Sequence, residues 1–471
     1  MIYLLFVLLL LALVGSFLYF KKDYAAPTVL FIAGFVYCVG WACAYALDWG
    51  LVNMRTDTFW TILGGCLVFL ITSVGVHILF KKFKPEEKEE LSSKSASRQL
   101  TLNIPIWLRV VSIIFMIVTM VLSIKSVIDI TGGSWSKIPA AINTYDQMSK
   151  FSSEILKIPL YMSFLRMAAA ALAYWFIYVF ISNLFVKKEK WWKRIDWLSL
   201  LIVGIDAMIL FSSGGRNGVV NLLIAGIALF VMLYYKNYGN SFRLKPKWWL
   251  LVVALFAGFL IAFPKINAIL GRSVAKDTNY YLAIYSGAEI KNLDMFLEKR
   301  ENGTFANSGN NQTFVSINNT MMKAFHYGTP YKLDLPFQST TTDDGRTLTL
   351  GNVYTTFYQF IYDFGFWGVL WCTALAAAIS QFIYEKCRRV KLGKLPNVYI
   401  LMYGYMSSSF LLSFFSNKFY EQNFNKAFIF NVIFWIVMNF LLLKIITRLQ
   451  KGTETTKQKN PVKEKSNGKK R

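Results

Sequence analysis

The chain has 471 residues, 55% of them hydrophobic and 17% aromatic, against only 16% charged. Soluble domains carry nearer a quarter charged residues, so this composition excludes an ordinary soluble enzyme and indicates an all-α protein that crosses a membrane many times. The net charge of +25 does not indicate nucleic acid, because the basic residues gather in short links between apolar runs and form no binding patch.

About eleven runs are apolar and long enough, or nearly so, to span a bilayer: 2–20, 27–47, 59–80, 106–128, 159–186, 197–213, 217–235, 248–265, 354–384, 398–416 and 427–447. The first has no basic segment before it and no small-residue cleavage site after it, and it ends at Phe20-Lys21-Lys22, so it reads as a span and not as a signal peptide. The links alternate in charge. Those near 21–26, 81–105, 187–196, 236–247 and 385–397, with the tail 448–471, carry most of the 51 Lys and Arg, in blocks such as Lys187-Lys188-Glu189-Lys190. The other links are 48–58, 129–158, 212–218, 266–353 and 417–426, and their basic density is far lower. The positive-inside rule puts the first set in the cytoplasm, the N-terminus outside and the C-terminus inside.

The chain therefore divides into eight spans (1–265), a large extracytoplasmic loop (266–353), three spans (354–447) and a basic cytoplasmic tail (448–471). In the outer link 138–156, apolar residues recur every three or four positions, which predicts an amphipathic helix on the membrane surface. The long loop reads as helical over 281–300 and irregular over 301–350. Residues 81–101 and 451–471 lack periodicity and read as disordered.

Candidate chemistry sits mostly on the outer side. The link Ser212-Ser213-Gly214-Gly215-Arg216-Asn217-Gly218 makes an antiparallel hairpin with a cation at its tip. Arg216 is either a phosphate clamp or an arginine reaching for lipid headgroups. Arg272, in Gly271-Arg272-Ser273, lies at a similar depth with Lys276 close by, and the two arginines could grip a pyrophosphate. Asp206 falls inside a span, and Arg166 is its natural partner, so the pair is either structural or functional. Asp363, in the aromatic entry to the ninth span, could orient a hydroxyl or act as a base, or equally cap or pair within the bundle. His326, beside Lys323, is a base, a phosphate contact or a plain surface histidine. His77, the only other histidine, reads as helix packing. Two histidines and five cysteines without CxxC spacing give no metal site, no P-loop or G-x-G-x-x-G is present, and no cofactor is expected.

Three stretches together resemble the Wzy-type oligosaccharide repeat-unit polymerases: Ser-Ser-Gly-Gly-Arg at 212–216, Tyr-Tyr-Leu-Ala-Ile-Tyr-Ser-Gly at 280–287, and Thr-Thr-Phe-Tyr with Asp-Phe-Gly-x-x-Gly at 355–368. The eleven or so spans with one large outer loop in the second half fit the same family. The resemblance implies a membrane-embedded, GT-C-type glycosyltransferase bundle in the bacterial cytoplasmic membrane. It implies an enzyme that polymerises undecaprenyl-pyrophosphate-linked oligosaccharides into surface polysaccharide: capsule, O-antigen or exopolysaccharide. Arg216 and Arg272, with Lys276 and Arg166, would then bind the substrate, and Asp363 and His326 are the catalytic candidates. Glu289 and Asp294 compete with Asp363 as the base. Membrane lipid, a flippase and a chain-length regulator are the partners implied.

A ligase that hands the finished glycan to another acceptor would share these features. A flippase for the lipid-linked unit would favour two similar halves and cations at mid-membrane, whereas here the halves differ and the cations sit at one face. The charge alternation makes a direct prediction. Cysteines introduced at Asn302 or Ser339 should react with an impermeant thiol reagent from outside, and one at Lys188 should not. Labelling only at Lys188 would reverse the orientation.

Overall fold

The computed structural model describes residues 1–83, 102, 104–151, 158–186, 195–214, 217–238, 278–305, 309–342 and 344–459. Eight of its helices are long and apolar enough to cross a membrane. They are α1 (Ile2–Tyr19), α2 (Pro27–Ala44), α3 (Thr56–Phe83), α4 (Ile106–Thr131), α6 (Leu160–Val186), α8 (Asn217–Tyr238), α12 (Thr356–Arg389) and α15 (Lys426–Lys459). Two further apolar helices are shorter, α7 (Trp197–Ser212) and α13 (Val398–Leu411). Each of these falls on an expected span. The expected span 248–265 lies outside the described residues. Helices dominate because a chain in lipid must satisfy its backbone polar groups internally. Helix α1 illustrates the consequence: only Ile2, Leu5, Leu9 and Ser16 are buried, and large apolar side chains such as Leu4, Val7, Leu11, Val14 and Leu18 are exposed.

The links gather on two faces, in the alternation the charges predict. On the loop face the N-terminal amine donates to Val52 O (3.3 Å). Thr58 Oγ1 and Arg55 N both donate to Asp294 Oδ1 (2.6 and 3.0 Å), and Arg55 pairs with Glu301. There too Lys332 Nζ donates to Ser149 O (2.9 Å) and Asn417 Nδ2 to Thr313 O (2.9 Å). On the basic face Lys236 Nζ donates to Val390 O (2.7 Å), Tyr235 OH to Lys22 O (2.9 Å) and Arg389 to Phe80 O (3.2 Å). The buried Glu385 accepts there from His77 Nδ1 (2.6 Å) and Gln381 Nε2 (2.9 Å). His77 is thus the satisfied packing histidine expected.

Packing follows from small side chains at crossings. Helix α12 lies along α3, and α13 is wedged between α2 and α8. At Gly34 of α2 a Cβ would collide with the backbone carbonyl of Leu411, so only glycine admits the end of α13 at this point. Helix α13 has 14 residues, or about 21 Å of rise, short of the ~30 Å hydrocarbon core. The chain then turns through a 3₁₀ segment, Leu412–Phe414, into the short α14 (Lys418–Asn423). The span expected at 398–416 is therefore α-helical only to Leu411 and closes in a 3₁₀ turn, where Ser413 Oγ donates to the Ser409 carbonyl (2.7 Å).

Other expectations change in detail. The amphipathic helix is α5 (Ile138–Phe151), with residues 152–157 outside the described set. Of the one or two helices expected around 281–300 there are two, α9 (Thr278–Ile284) and α10 (Ala288–Glu301). They part at a turn that seats against α2, where the hydroxyls of Tyr37 and Ser286 are 3.0 Å apart. The stretch read as irregular contains α11 (Val315–Phe325) and an antiparallel hairpin of β1 (Gln338–Thr341) and β2 (Thr347–Gly351), the only sheet among the described residues. Helix α15 runs to Lys459, into the tail read as disordered, since extending an existing helix needs no new nucleus.

Helix α10 carries the least expected burial. Glu289 is fully buried, its Oε1 has no hydrogen-bond partner among the described residues, and the Cys38 thiol lies 3.7 Å from Oε2. Burial pushes the Glu289 carboxyl well above its ordinary range. The folded state therefore holds this proton more tightly than the unfolded chain, and stability falls as pH rises above the unfolded value. Each pH unit crossed between the two pKa values costs about 1.4 kcal/mol. Glu289→Gln should accordingly melt above the wild type at pH 8 and lose that advantage towards pH 5, in thermal unfolding of the solubilised protein.

Candidate functional site

The loop face is organised by a break in α12. Gly365 has φ 65° and ψ −162°, which interrupts the helix; φ in this region favours glycine. Just before the break, Arg300 Nη1 from α10 donates to the Ile361 carbonyl at 2.6 Å. The rest of the Arg300 side chain is exposed.

Two residues before the break, Asp363 is fully engaged. Oδ1 accepts from Gln312 N (2.9 Å), and Oδ2 accepts from Gln312 N (3.0 Å) and Thr313 N (2.6 Å). It caps the segment leading into α11, which is the structural one of its two readings. Of its competitors, Asp294 holds the start of α3 and Glu289 is buried against α2.

A further acid at this face, with one oxygen oriented and one free, is Asp334. Tyr362 OH donates to its Oδ2 (3.0 Å), Tyr358 OH to its carbonyl (2.7 Å), and its own amide donates to Gln312 Oε1 (2.7 Å). Asp334 is half-buried, and Oδ1 has no hydrogen-bond partner among the described residues. Beside it stand Tyr354, Tyr358 and Tyr362, with ring centroids 4.2 and 5.9 Å apart along the series. Phe305 and Phe296 close the group edge-on. Tyr354 OH donates to Pro336 O (2.9 Å). The result is an oriented carboxylate among aromatic rings. Arg300 is anchored on Ile361, the chain neighbour of Tyr362.

A second polar group lines the broken α13–α14 junction. Lys418 Nζ pairs with Glu421 Oε2 at 2.8 Å, Gln359 Nε2 donates to Glu421 Oε1 (3.4 Å), and Asn423 Nδ2 donates to Ser409 Oγ (2.9 Å). Ser316 Oγ from α11 donates to Glu421 O (3.2 Å), which ties this junction to the segment that Asp363 holds.

The remaining expected residues are distributed as follows. Arg216, Arg272 and Lys276 lie outside the described residues. At the hairpin, Gly214 rests on the buried Asp146 of α5: a Cβ there would come within 2.6 Å of the Asp146 Cβ. His326 ends α11 in the left-handed region (φ 54°) and is exposed, in keeping with its surface reading. The Arg166–Asp206 pair does not form. Arg166 Nε donates to Ser123 Oγ (3.0 Å), which is 2.8 Å from Ser212 Oγ. Asp206 lies six residues before Ser212 on α7, or about 9 Å deeper. Both its oxygens lack a hydrogen-bond partner among the described residues, and it is 1% exposed. At the opposite end of α7, Asp196 pairs with Arg109 at 2.9 Å. Among the described residues no cluster of His, Cys, Asp and Glu could hold a metal.

No family model, curated protein or solved structure matches this chain. The site is therefore read from its own geometry.

Asp334 and Arg300 escaped the sequence reading because no motif marks them. Arg300 sits in an ordinary Lys-Arg-Glu run, and Asp334 in Lys-Leu-Asp-Leu-Pro. The signal available was the alternation of tyrosines at 354, 358 and 362, which at helical spacing fall on one face. Asp363→Ala should free residues 311–314, because a charged acceptor of backbone amides contributes about 1.5–3 kcal/mol per bond. Limited proteolysis should then cut faster between 305 and 337, with Asp363→Asn intermediate.

Proposed function

We propose that this chain is a polysaccharide polymerase acting on lipid-pyrophosphate-linked oligosaccharide units, as Wzy-type enzymes do. In this reading eleven spans form a membrane-embedded, glycosyltransferase-like bundle in the bacterial cytoplasmic membrane. The N-terminus and the long loop lie outside, and the C-terminus lies inside. The observation that carries it is Asp334: a carboxylate oriented by Tyr362, with one oxygen free, among aromatic rings at the face that holds the long loop.

The chemistry asks for these parts. A sugar hydroxyl of one lipid-linked unit attacks the anomeric carbon of another, the new C–O bond replaces the bond to the pyrophosphate, and the hydroxyl proton leaves. A positioned carboxylate takes that proton in the transition state, and Asp334 Oδ1 is available for it. Aromatic faces position sugar rings by apolar contact, and arginines stabilise the departing pyrophosphate. In this reading Arg216 and Arg272 form the clamp expected from the sequence, and Arg300 is a further cation at the loop face. The donor carries its own activated bond, in keeping with a chain that has no nucleotide-binding motif. A flippase would deliver such units, and a chain-length regulator would limit the product.

One observation favours a second reading. Helix α13 ends short of the bilayer's width beside a polar junction, and transporters use broken helices in this way. One assay separates the readings. Liposomes holding the purified chain and lipid-linked units, with no nucleotide sugar, should build a ladder of longer glycans. Asp334→Asn should slow extension about a hundredfold or more without changing the melting temperature, and Arg216→Lys should fail to restore Arg216→Ala, since lysine lacks the bidentate fork. A ligase would leave single repeats unpolymerised. Leaflet exchange of the lipid-linked unit without a ladder would replace the enzyme with a transporter.

A further inference from the structure

Helix α11 is amphipathic in the opposite sense from a helix that covers a protein core. Its polar side faces the protein. Ser316 donates to the Glu421 carbonyl, Asn318 Nδ2 to Tyr331 OH (3.2 Å), and Asn319 exchanges two bonds with the Tyr331 backbone (2.7 and 3.0 Å). Its apolar side faces outward: Ile317, Met321 and Phe325 are 39%, 42% and 66% exposed, and Ala324 is exposed as well. At 100° per residue these four fall within an arc of about 100°. Water would make such an arrangement costly, because Ser316, Asn318 and Asn319 bond inward while Ile317, Met321 and Phe325 are left uncovered.

The arc continues onto a surface that the bundle already presents to lipid. Phe314, the residue before α11, stacks on Trp371 with ring centroids 6.3 Å apart. Trp371 belongs to an exposed belt on α12 with Phe366, Trp367 and Leu370. Below this belt Leu375 and Phe382, on the same spanning helix, are exposed too. An uninterrupted apolar surface thus runs from the side of a membrane helix onto α11. The single charge on α11, Lys323, lies outside the arc, and the helix carries no acid that an anionic leaflet would repel.

We propose that α11 is seated in the leaflet next to the loop face, with Ile317, Met321, Ala324 and Phe325 among the lipid acyl chains. The helix is then a membrane-anchored strut for residues 311–334. Neither a solvent-facing helix nor a contact with a second copy of the chain has this continuity with the lipid-facing belt.

The test uses the full chain in phosphatidylcholine liposomes containing a trace of phosphatidylcholine with a diazirine on its acyl chain. After photolysis, mass spectrometry should find lipid adducts on Ile317, Met321 and Phe325 at levels comparable to those on Phe366 and Trp367, and none on Asn319. Met321→Asp should lower adducts on α11 several-fold and leave those on the α12 belt unchanged. Photo-methionine at Met321 should capture lipid. A labelled belt with a bare α11 would overturn the proposal by placing the helix in water, and capture of a second copy of the chain by photo-methionine would overturn it in favour of a protein contact.

Discussion

Inside a bilayer an unpaired backbone amide or carbonyl has no water to turn to, so any break in a spanning helix needs a partner from elsewhere in the protein. This chain breaks one apolar helix at Gly365 and ends another short at Leu411, both near the loop face, and the bonds it supplies there fix that face. Arg300 donates to the Ile361 carbonyl just before the Gly365 break, and Tyr420 OH donates to the Cys372 carbonyl at 2.7 Å. Asp363 takes two amides from the segment above it, and Asn417 returns a bond to Thr313. Each bond crosses between elements far apart in sequence. The loop is therefore held in register with the helices at the places where they end or break.

The alternation of basic and neutral links was readable because it follows from membrane insertion, which acts on local charge regardless of tertiary contacts. Helix positions were readable for a similar reason, since length and apolarity alone decide them. The break in α13 was not readable: Leu-Leu-Ser-Phe-Phe looks as apolar as its neighbours, and the stop arises from contact with α2 at Gly34. Helix α11 was missed because its apolar arc is interleaved with Asn, Thr and Ser, which read as loop when the outside of the helix is assumed to be wet. Asp344-Gly345 followed by alternating Thr and Leu was a legible hairpin signal within a stretch read as irregular.

The acids divide by what surrounds them, and that division separates scaffold from chemistry better than their positions in sequence. Asp294, Asp363 and Glu385 accept from groups that hold elements together. The Asp-Phe-Gly context of Asp363 explains its structural role, since the residue sits where α12 is about to break and can reach the segment above. Asp334 lies in a segment with no helical or strand pattern, so only the folded chain brings it to Tyr358 and Tyr362. A carboxylate with one oxygen oriented and one free suits proton transfer, because orienting it costs nothing further when substrate arrives.

The position of that acid depends on more than the protein. The amide of Asp334 is held by Gln312, whose own amide is held by Asp363, and Tyr331 ties the same segment to Asn318 and Asn319 on α11. If α11 rests in lipid, the acid is braced from one side by a spanning helix and from the other by the leaflet. Detergent replaces the second support with a looser one. Loss of the brace would displace Asp334 relative to Tyr362 without unfolding any membrane helix, since α11 contributes only Val315 to the buried surface. On these two proposals, the helix crossings set the melting temperature and a lipid-seated α11 sets the geometry of the acid.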